Sequence, residues 1–235
     1  MEYPEVEEIH LWAGFPCVDL SSAKAYRMEL QGSQSSLFFE VLRVWELLET
    51  ETPADVAVKV VVENVASMSK EACWEIGDYM QLKPFHLDSA DAVPMNRPRL
   101  TWCTEDLRLS LDGLIFEENE FWTKVTASQS YPSSEQWIRE GWSWSGDGYT
   151  CLPTCMKSIP RSTPPPQPAG LNRCNENDVL RWKADSMRFP PYQYRSQFLF
   201  WSDKSEKCRL ADSSERDLLL GYGFEHTNPF QCLEN

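Results

Sequence analysis

No apolar run in this 235-residue chain approaches the roughly 18 residues needed to span a bilayer, so no membrane-crossing helix is predicted. The first ten residues, MEYPEVEEIH, lack both the basic start and the apolar stretch of a secretory signal peptide. The eight cysteines (17, 73, 103, 151, 155, 174, 208 and 232) therefore read as reduced thiols of an intracellular protein, not as a disulfide framework. Cys151 and Cys155 form a lone C-x3-C pair with no second pair at zinc spacing, and no metal site is expected. Histidine is scarce too. His10, His86 and His226 show no local pairing signature with a cysteine, which weakens a thiol-hydrolase reading while leaving pairing in space open. Positive charge is short: 22 Lys+Arg stand against 36 Asp+Glu, a net charge of −14. The deficit sits in residues 1–150, where 11 basic residues face 26 acidic ones. A chain so acidic is a poor general nucleic-acid binder, and any contact with DNA must rest on local basic patches.

What is present is a substantial apolar complement, 42% of the residues, with 12% aromatic. That suffices for a core in one domain with an appendage or in two small domains. Residues 9–13 (IHLWA) read as a buried strand. In residues 33–49, Leu37, Phe38, Val41, Leu42, Trp45 and Leu48 recur at helical spacing behind Ser33 or Ser35 as N-cap. VAVKVVV (56–62) reads as an inner strand of a parallel sheet, residues 70–79 as a helix capped from Ser67–Ser69, and RLTWC (99–103) as a further strand. Alternation of this kind predicts an α/β sheet with its functional groups at the carboxyl ends of the strands. From residue 104 the texture changes: Trp122, Trp137, Trp142 and Trp144, the acidic Glu117, Glu118 and Glu120, and GWSWSGDG suggest an inserted, loop-rich subdomain. The Pro-rich SIPRSTPPPQPAG (158–170) excludes a regular element, while residues 176–189 and 213–223 read as helices.

Three chemically suggestive features fall at strand ends: Cys17 in GFPCVDLS, Glu63 in ENV, and Arg97 and Arg99 in NRPRLTW. Singly, each has an ordinary reading as packing, capping or surface charge. Their order resembles the 5-cytosine DNA methyltransferase family. GFPCVDLS is similar to that family's Pro-Cys nucleophile loop, LFFEVLRV to its next helix, ENV to its catalytic glutamate motif, NRPRLTW to its Arg-x-Arg strand, and RLADSSERDLLLGYG (209–223) to a late Arg-Leu…Glu…Leu-x-Gly-Tyr motif. The LFFE and RPRLTW variants resemble the eukaryotic de novo-type enzymes, which would place the protein in a nucleus.

The resemblance implies a partial Rossmann-like sheet of the S-adenosylmethionine-dependent type, residues 1–103, with a target recognition region over 104–208 and a core motif and tail over 209–235. It implies Cys17 as nucleophile toward carbon 6 of cytosine, Glu63 as the acid near ring nitrogen 3, Arg99 as the cation near the carbonyl oxygen, and Arg97 holding the site or the target phosphate. Pro16, Ser21, Asn64 and Val65 would surround a base flipped out of duplex DNA. Arg161, Arg173, Arg181, Lys183, Arg188 and Arg195 are candidate phosphate contacts. Two family features are missing: the Gly-rich loop for S-adenosylmethionine, which ordinarily precedes the Pro-Cys loop, and the last Gly-Asn motif. The expectation is an incomplete enzyme, truncated, cut from a longer polyprotein or completed by a missing half or partner chain. A non-catalytic DNA-binding remnant and an RNA cytosine methyltransferase remain alternatives.

Overall fold

The computed structural model describes residues 6–24, 26–105, 113–127, 138–144, 151–153, 159–166, 168–202, 204–205 and 207–219. The expectations for Trp137, Cys155, His226, Cys232, residues 145–150 and the Leu-x-Gly-Tyr end of the late motif lie outside them. The chain forms two compact units, one of Met1–Asp88 with Pro98–Gln129 and one of Ser89–Arg97 with Ser130–Asn235. No helix among the described residues is long and apolar enough to cross a membrane.

Unit 1 is mixed α/β. It holds β1 (Glu8–Gly14), α1 (Phe38–Glu51), β2 (Ala57–Val65), α2 (Lys70–Met80), β3 (Phe85–Asp88), β4 (Pro98–Cys103), β5 (Leu114–Glu118) and β6 (Thr123–Ala127). The six strands form one sheet in the order β1-β2-β4-β3-β6-β5. β1 runs parallel to β2, with Leu11 opposite Val60 and Gly14 opposite Glu63. β4 runs antiparallel to β2, so the sheet is mixed and β2, read as an inner strand of a parallel sheet, has one parallel and one antiparallel neighbour. The Val-rich run of β2 records burial on both faces, and burial carries no strand direction. The sheet also continues beyond residue 103, because β6 joins β3 in parallel with Phe85 opposite Thr123. The change of texture after Thr104 therefore begins within the same sheet, while Trp142 and Trp144 belong to unit 2.

Both helices cover one face. Leu11, Ala13, Val60, Val62, Leu100 and Trp102 pack with Phe38 of α1 and with Ala72, Cys73 and Ile76 of α2. The α2 start follows from Ser69, whose hydroxyl accepts from the Ala72 amide at 3.0 Å. Its end follows from Gln81, held at φ 55° in the left-handed region. On the opposite face Phe85, Cys103 and Val125 gather Val61, Leu87 and Phe116 into a smaller cluster. At the outer edge of that face, Trp12 of β1 is 73% exposed.

Unit 2 holds β7 (Trp142–Ser143), α3 (Glu176–Ala184), β8 (Phe200–Ser202), β9 (Cys208–Arg209) and α4 (Ser213–Leu219), the strands forming an antiparallel sheet β7-β8-β9. Asn175 and Asp178 cap α3 reciprocally. That helix ends five residues before the expected Phe189 because Ser186 and Met187 both take positive φ. This turn lets the buried Trp182 indole donate to the Phe189 carbonyl at 2.8 Å. The described part of the Pro-rich stretch forms neither helix nor strand, as expected.

The late Arg…Glu motif proves to be the organising ion pair of this unit. Fully buried Glu215 receives both terminal nitrogens of Arg209, at 2.6 and 2.8 Å. It also accepts from the Asp212 amide at 3.0 Å and the Arg139 amide at 3.3 Å, while Asp212 caps the Glu215 amide. Burial by itself would raise the Glu215 carboxyl, but the hydrogen bonds from Arg209 and the backbone amides outweigh it and hold the group below its ordinary value. Glu215→Gln is predicted to cost about 3 kcal/mol, the low end for breaking a buried pair because Arg209 stays partly exposed, as read by urea unfolding. Since the folded carboxyl is the stronger acid, its contribution is present above about pH 4.3 and lost as pH falls through the depressed value. The thermal midpoint of the native chain should therefore fall more steeply on acidification than that of Glu215→Gln.

Candidate active site at the carboxyl end of β1 and β2

The parallel pairing of β1 with β2 brings two of the predicted groups out at one end of the sheet. β1 ends at Gly14, opposite Glu63, and the chain passes through Phe15 and Pro16 into Cys17. The Cys17 carbonyl accepts from the amides of Leu20 and Ser21, at 3.0 and 2.8 Å, which closes the nucleophile loop into a tight turn. Cys17 is half-buried and free of any disulfide.

Asn64 fixes the loop to β2. Its side chain, almost fully buried, donates to the Phe15 carbonyl at 2.9 Å and accepts from the Val65 amide at 2.8 Å. The Asn of ENV thus ties the strand that carries Glu63 to a point two residues before the thiol. Antiparallel pairing places Arg99 opposite Val65, one diagonal step from Glu63, which is within reach of a long side chain. There the Arg99 guanidinium makes a short charge-assisted hydrogen bond to Glu63. The Glu63 side chain is 42% exposed.

Arg97 falls in a different unit from this group. It belongs to unit 2, whereas Cys17, Glu63, Asn64 and Arg99 belong to unit 1. Ser21 takes part through its amide, and its hydroxyl accepts from the Ala23 amide at 3.2 Å. Pro16 is half-buried and stiffens the approach to Cys17. All six candidate phosphate contacts lie in unit 2, and Arg181, Arg188 and Arg195 are engaged within it, Arg195 over the Phe198 ring at 5.9 Å. Arg181 binds Asp178 at 2.5 Å and the Tyr194 carbonyl at 3.0 Å, and Arg188 lies 3.7 Å from Asp185.

Motif spacing gave no hint of three further residues that shape the loop. Asp19, almost fully buried, accepts from Lys24 at 2.5 Å and from the Gln34 amide at 3.2 Å. The Lys24 hydrogen bond is the main reason its carboxyl lies below the ordinary value. Arg27 bridges the Leu20 carbonyl, at 3.3 Å, and the Ser67 carbonyl, at 3.1 Å, so that the loops after β1 and β2 share one guanidinium. These residues come from an irregular stretch where no periodicity marks which polar groups turn inward. Among the described residues no group of His, Cys, Asp and Glu could hold a metal ion.

Asn64→Ala leaves the Phe15 carbonyl without its buried donor and is predicted to cost about 1–3 kcal/mol, measured by chemical unfolding. Gly32→Ala would set a Cβ 2.1 Å from Asp19 Oδ2, so it should displace the Asp19 carboxylate and loosen the Cys17 loop despite an ordinary backbone conformation at Gly32. Faster amide hydrogen exchange at residues 17–24 in Gly32→Ala would register that change.

No protein-family model matches the chain, and no curated protein is significantly similar to it.

Proposed function

We propose that this chain is the cytosine-binding portion of a 5-cytosine DNA methyltransferase homologue, with Cys17 as nucleophile. The observation that supports it most is the grouping of Cys17, Glu63, Asn64 and Arg99 at one end of the sheet through the β1–β2 pairing and the Asn64–Phe15 hydrogen bond. Carbon 5 of cytosine is a weak nucleophile until a thiolate adds to carbon 6. On addition, the electrons of the 5,6 double bond shift through carbon 4 to ring nitrogen 3, which takes a proton from Glu63, the carboxylate having taken that proton from water once Arg99 leaves it. The product is an enamine, nucleophilic at carbon 5. Arg99, which holds Glu63 in the free chain, would move to the carbonyl oxygen at carbon 2 as charge builds there, freeing Glu63 to face nitrogen 3. A base stacked in a duplex is out of reach of Cys17, so the substrate is a flipped or unpaired cytosine.

S-adenosylmethionine does not fit what unit 1 presents. Among the described residues β1 leads directly into the Pro16-Cys17 loop, with no glycine-rich strand-to-helix turn to cradle the donor. The one glycine at this end, Gly14, is already packed: a Cβ there would meet Glu63 Oε2 at 3.3 Å. A methyl donor would have to be held by another polypeptide segment. The edge of β1, unpaired among the described strands and carrying the exposed Trp12, is the surface we assign to it. The partial Rossmann-like character of the sheet, DNA as partner and a nuclear location belong to the same proposal.

DNA containing 5-fluorocytosine, incubated with the chain, the methyl donor and a complementing donor-binding half, should trap a covalent adduct that mass spectrometry places on Cys17. Cys17→Ser should abolish it. The assignment fails if the complete mixture gives no adduct at Cys17. The isolated chain should show no micromolar binding of S-adenosylmethionine by calorimetry, and such binding would remove the need for a second half.

A further inference from the structure

Unit 2 contains a cleft of about 720 Å³ between the end of α3, the Tyr194 turn and the β9–α4 connection. That is the size range of sites for drug-sized organic molecules. Four arginines line it (Arg181, Arg188, Arg209 and Arg216), and two carboxylates, Asp185 and Asp212, do so as well. The charges are not evenly matched. Arg209 is satisfied by Glu215 in a two-pronged pair, and Arg181 by Asp178. Asp212 pairs with Arg139 at 3.3 Å, and Asp185 accepts the Tyr194 hydroxyl at 2.7 Å. Burial, followed by this bond to Asp185, raises the Tyr194 hydroxyl far above its ordinary value, so Tyr194 stays a neutral donor.

Arg216 is left without a carboxylate partner among the described residues, and Arg188 has only a loose one. Arg216 spends its Nε on the Ala211 carbonyl at 2.9 Å and stacks its guanidinium 4.2 Å above the Phe189 ring. No carboxylate among the described residues pairs with it. Arg188, beside Phe189 in sequence, has only Asp185 near it, at 3.7 Å, and its side chain is 46% exposed. One guanidinium stacked on the Phe189 ring and one loosely paired guanidinium thus line a cleft that also presents apolar side chains, among them Leu199 and Leu210. A planar guanidinium held flat by a ring has its remaining N–H groups set for two-pronged contact with a carboxylate or phosphate.

We propose that this cleft binds a small ligand that joins a flat apolar body to an anionic head, with Arg216 and Arg188 holding the head and the apolar walls holding the body. The site is independent of the reading given to Cys17, since every lining residue lies in unit 2.

Calorimetric titration of the full chain with 2-naphthoate, 2-naphthyl phosphate, neutral 2-naphthamide and inorganic phosphate tests the proposal and separates carboxylate from phosphate heads. At least one of the two aryl anions should bind saturably, about tenfold or more tighter than naphthamide or inorganic phosphate. Arg188→Gln and Arg216→Gln should each weaken that binding several-fold, and Arg188→Lys less than Arg188→Gln. Arg188 is exposed and makes no contact on which the fold depends, so its variants report on the site even if Arg216→Gln proves unstable. Equal binding of naphthamide, indifference to Arg188→Gln, or no saturable binding of either aryl anion would overturn the proposal. So would saturable binding of duplex DNA alone with the same arginine dependence, which would assign these side chains to backbone phosphates.

Discussion

The parallel register of β1 against β2 is the constraint on which the candidate site depends. With Gly14 opposite Glu63, both strands end at the same level, and whatever follows them must share one small volume. A one-residue slip would send Glu63 to the helix-covered face and Asn64 away from Phe15. The register is held by the apolar face, where Leu11 meets Val60 and Ala13 meets Val62 under α1 and α2. Asn64 adds a specific lock, because a buried amide that finds one carbonyl partner tolerates little displacement. Core packing in unit 1 and the positions of the reactive groups are therefore set by the same ladder.

The opposite face of that sheet carries Glu63 and Arg99 of the candidate site. Trp12, Val61, Glu63, Thr101 and Arg99 follow one another on it by the alternation of the paired strands. α1 and α2 both contribute to the other face. A sheet with its helices on one side and an exposed tryptophan at its edge has a surface suited to a further polypeptide, which is the arrangement proposed for the donor-binding half. Unit 2 rests on a different device, the buried Arg209–Glu215 pair, around which β9, α4 and the Arg139 backbone are arranged by charge-assisted hydrogen bonds.

Much of unit 1 could be read from the sequence because periodic burial fixes regular elements. The helices near residues 38–51 and 70–80, and the strands around Leu11, Val60 and Leu100, fall within a few residues of their expected places. What the pattern does not encode is direction and long-range pairing. The antiparallel β4, the β3–β6 pairing and the separation of Arg97 from Arg99 into different units depend on connections through irregular segments. The resemblance puts Glu63 and Arg99 in one site with separate roles but not in contact, and no spacing rule links residues 36 positions apart. Asp19, Lys24 and Arg27 were missed for a related reason: buried polar side chains in a loop look like solvated charges until their partners are known.

The central claim is that this one chain already holds the groups that activate cytosine. Addition of a thiolate to carbon 6 makes carbon 5 basic, so it can pick up a deuteron from heavy water, lose its proton and eliminate the thiolate, all without a methyl donor. The direct measurement is mass-spectrometric deuterium exchange at carbon 5 of cytosine in single-stranded DNA incubated with the chain in heavy water. Exchange above the protein-free rate, abolished by Cys17→Ser and strongly reduced by Glu63→Gln, is the predicted result. Exchange that is absent, or unchanged in Cys17→Ser, would contradict it.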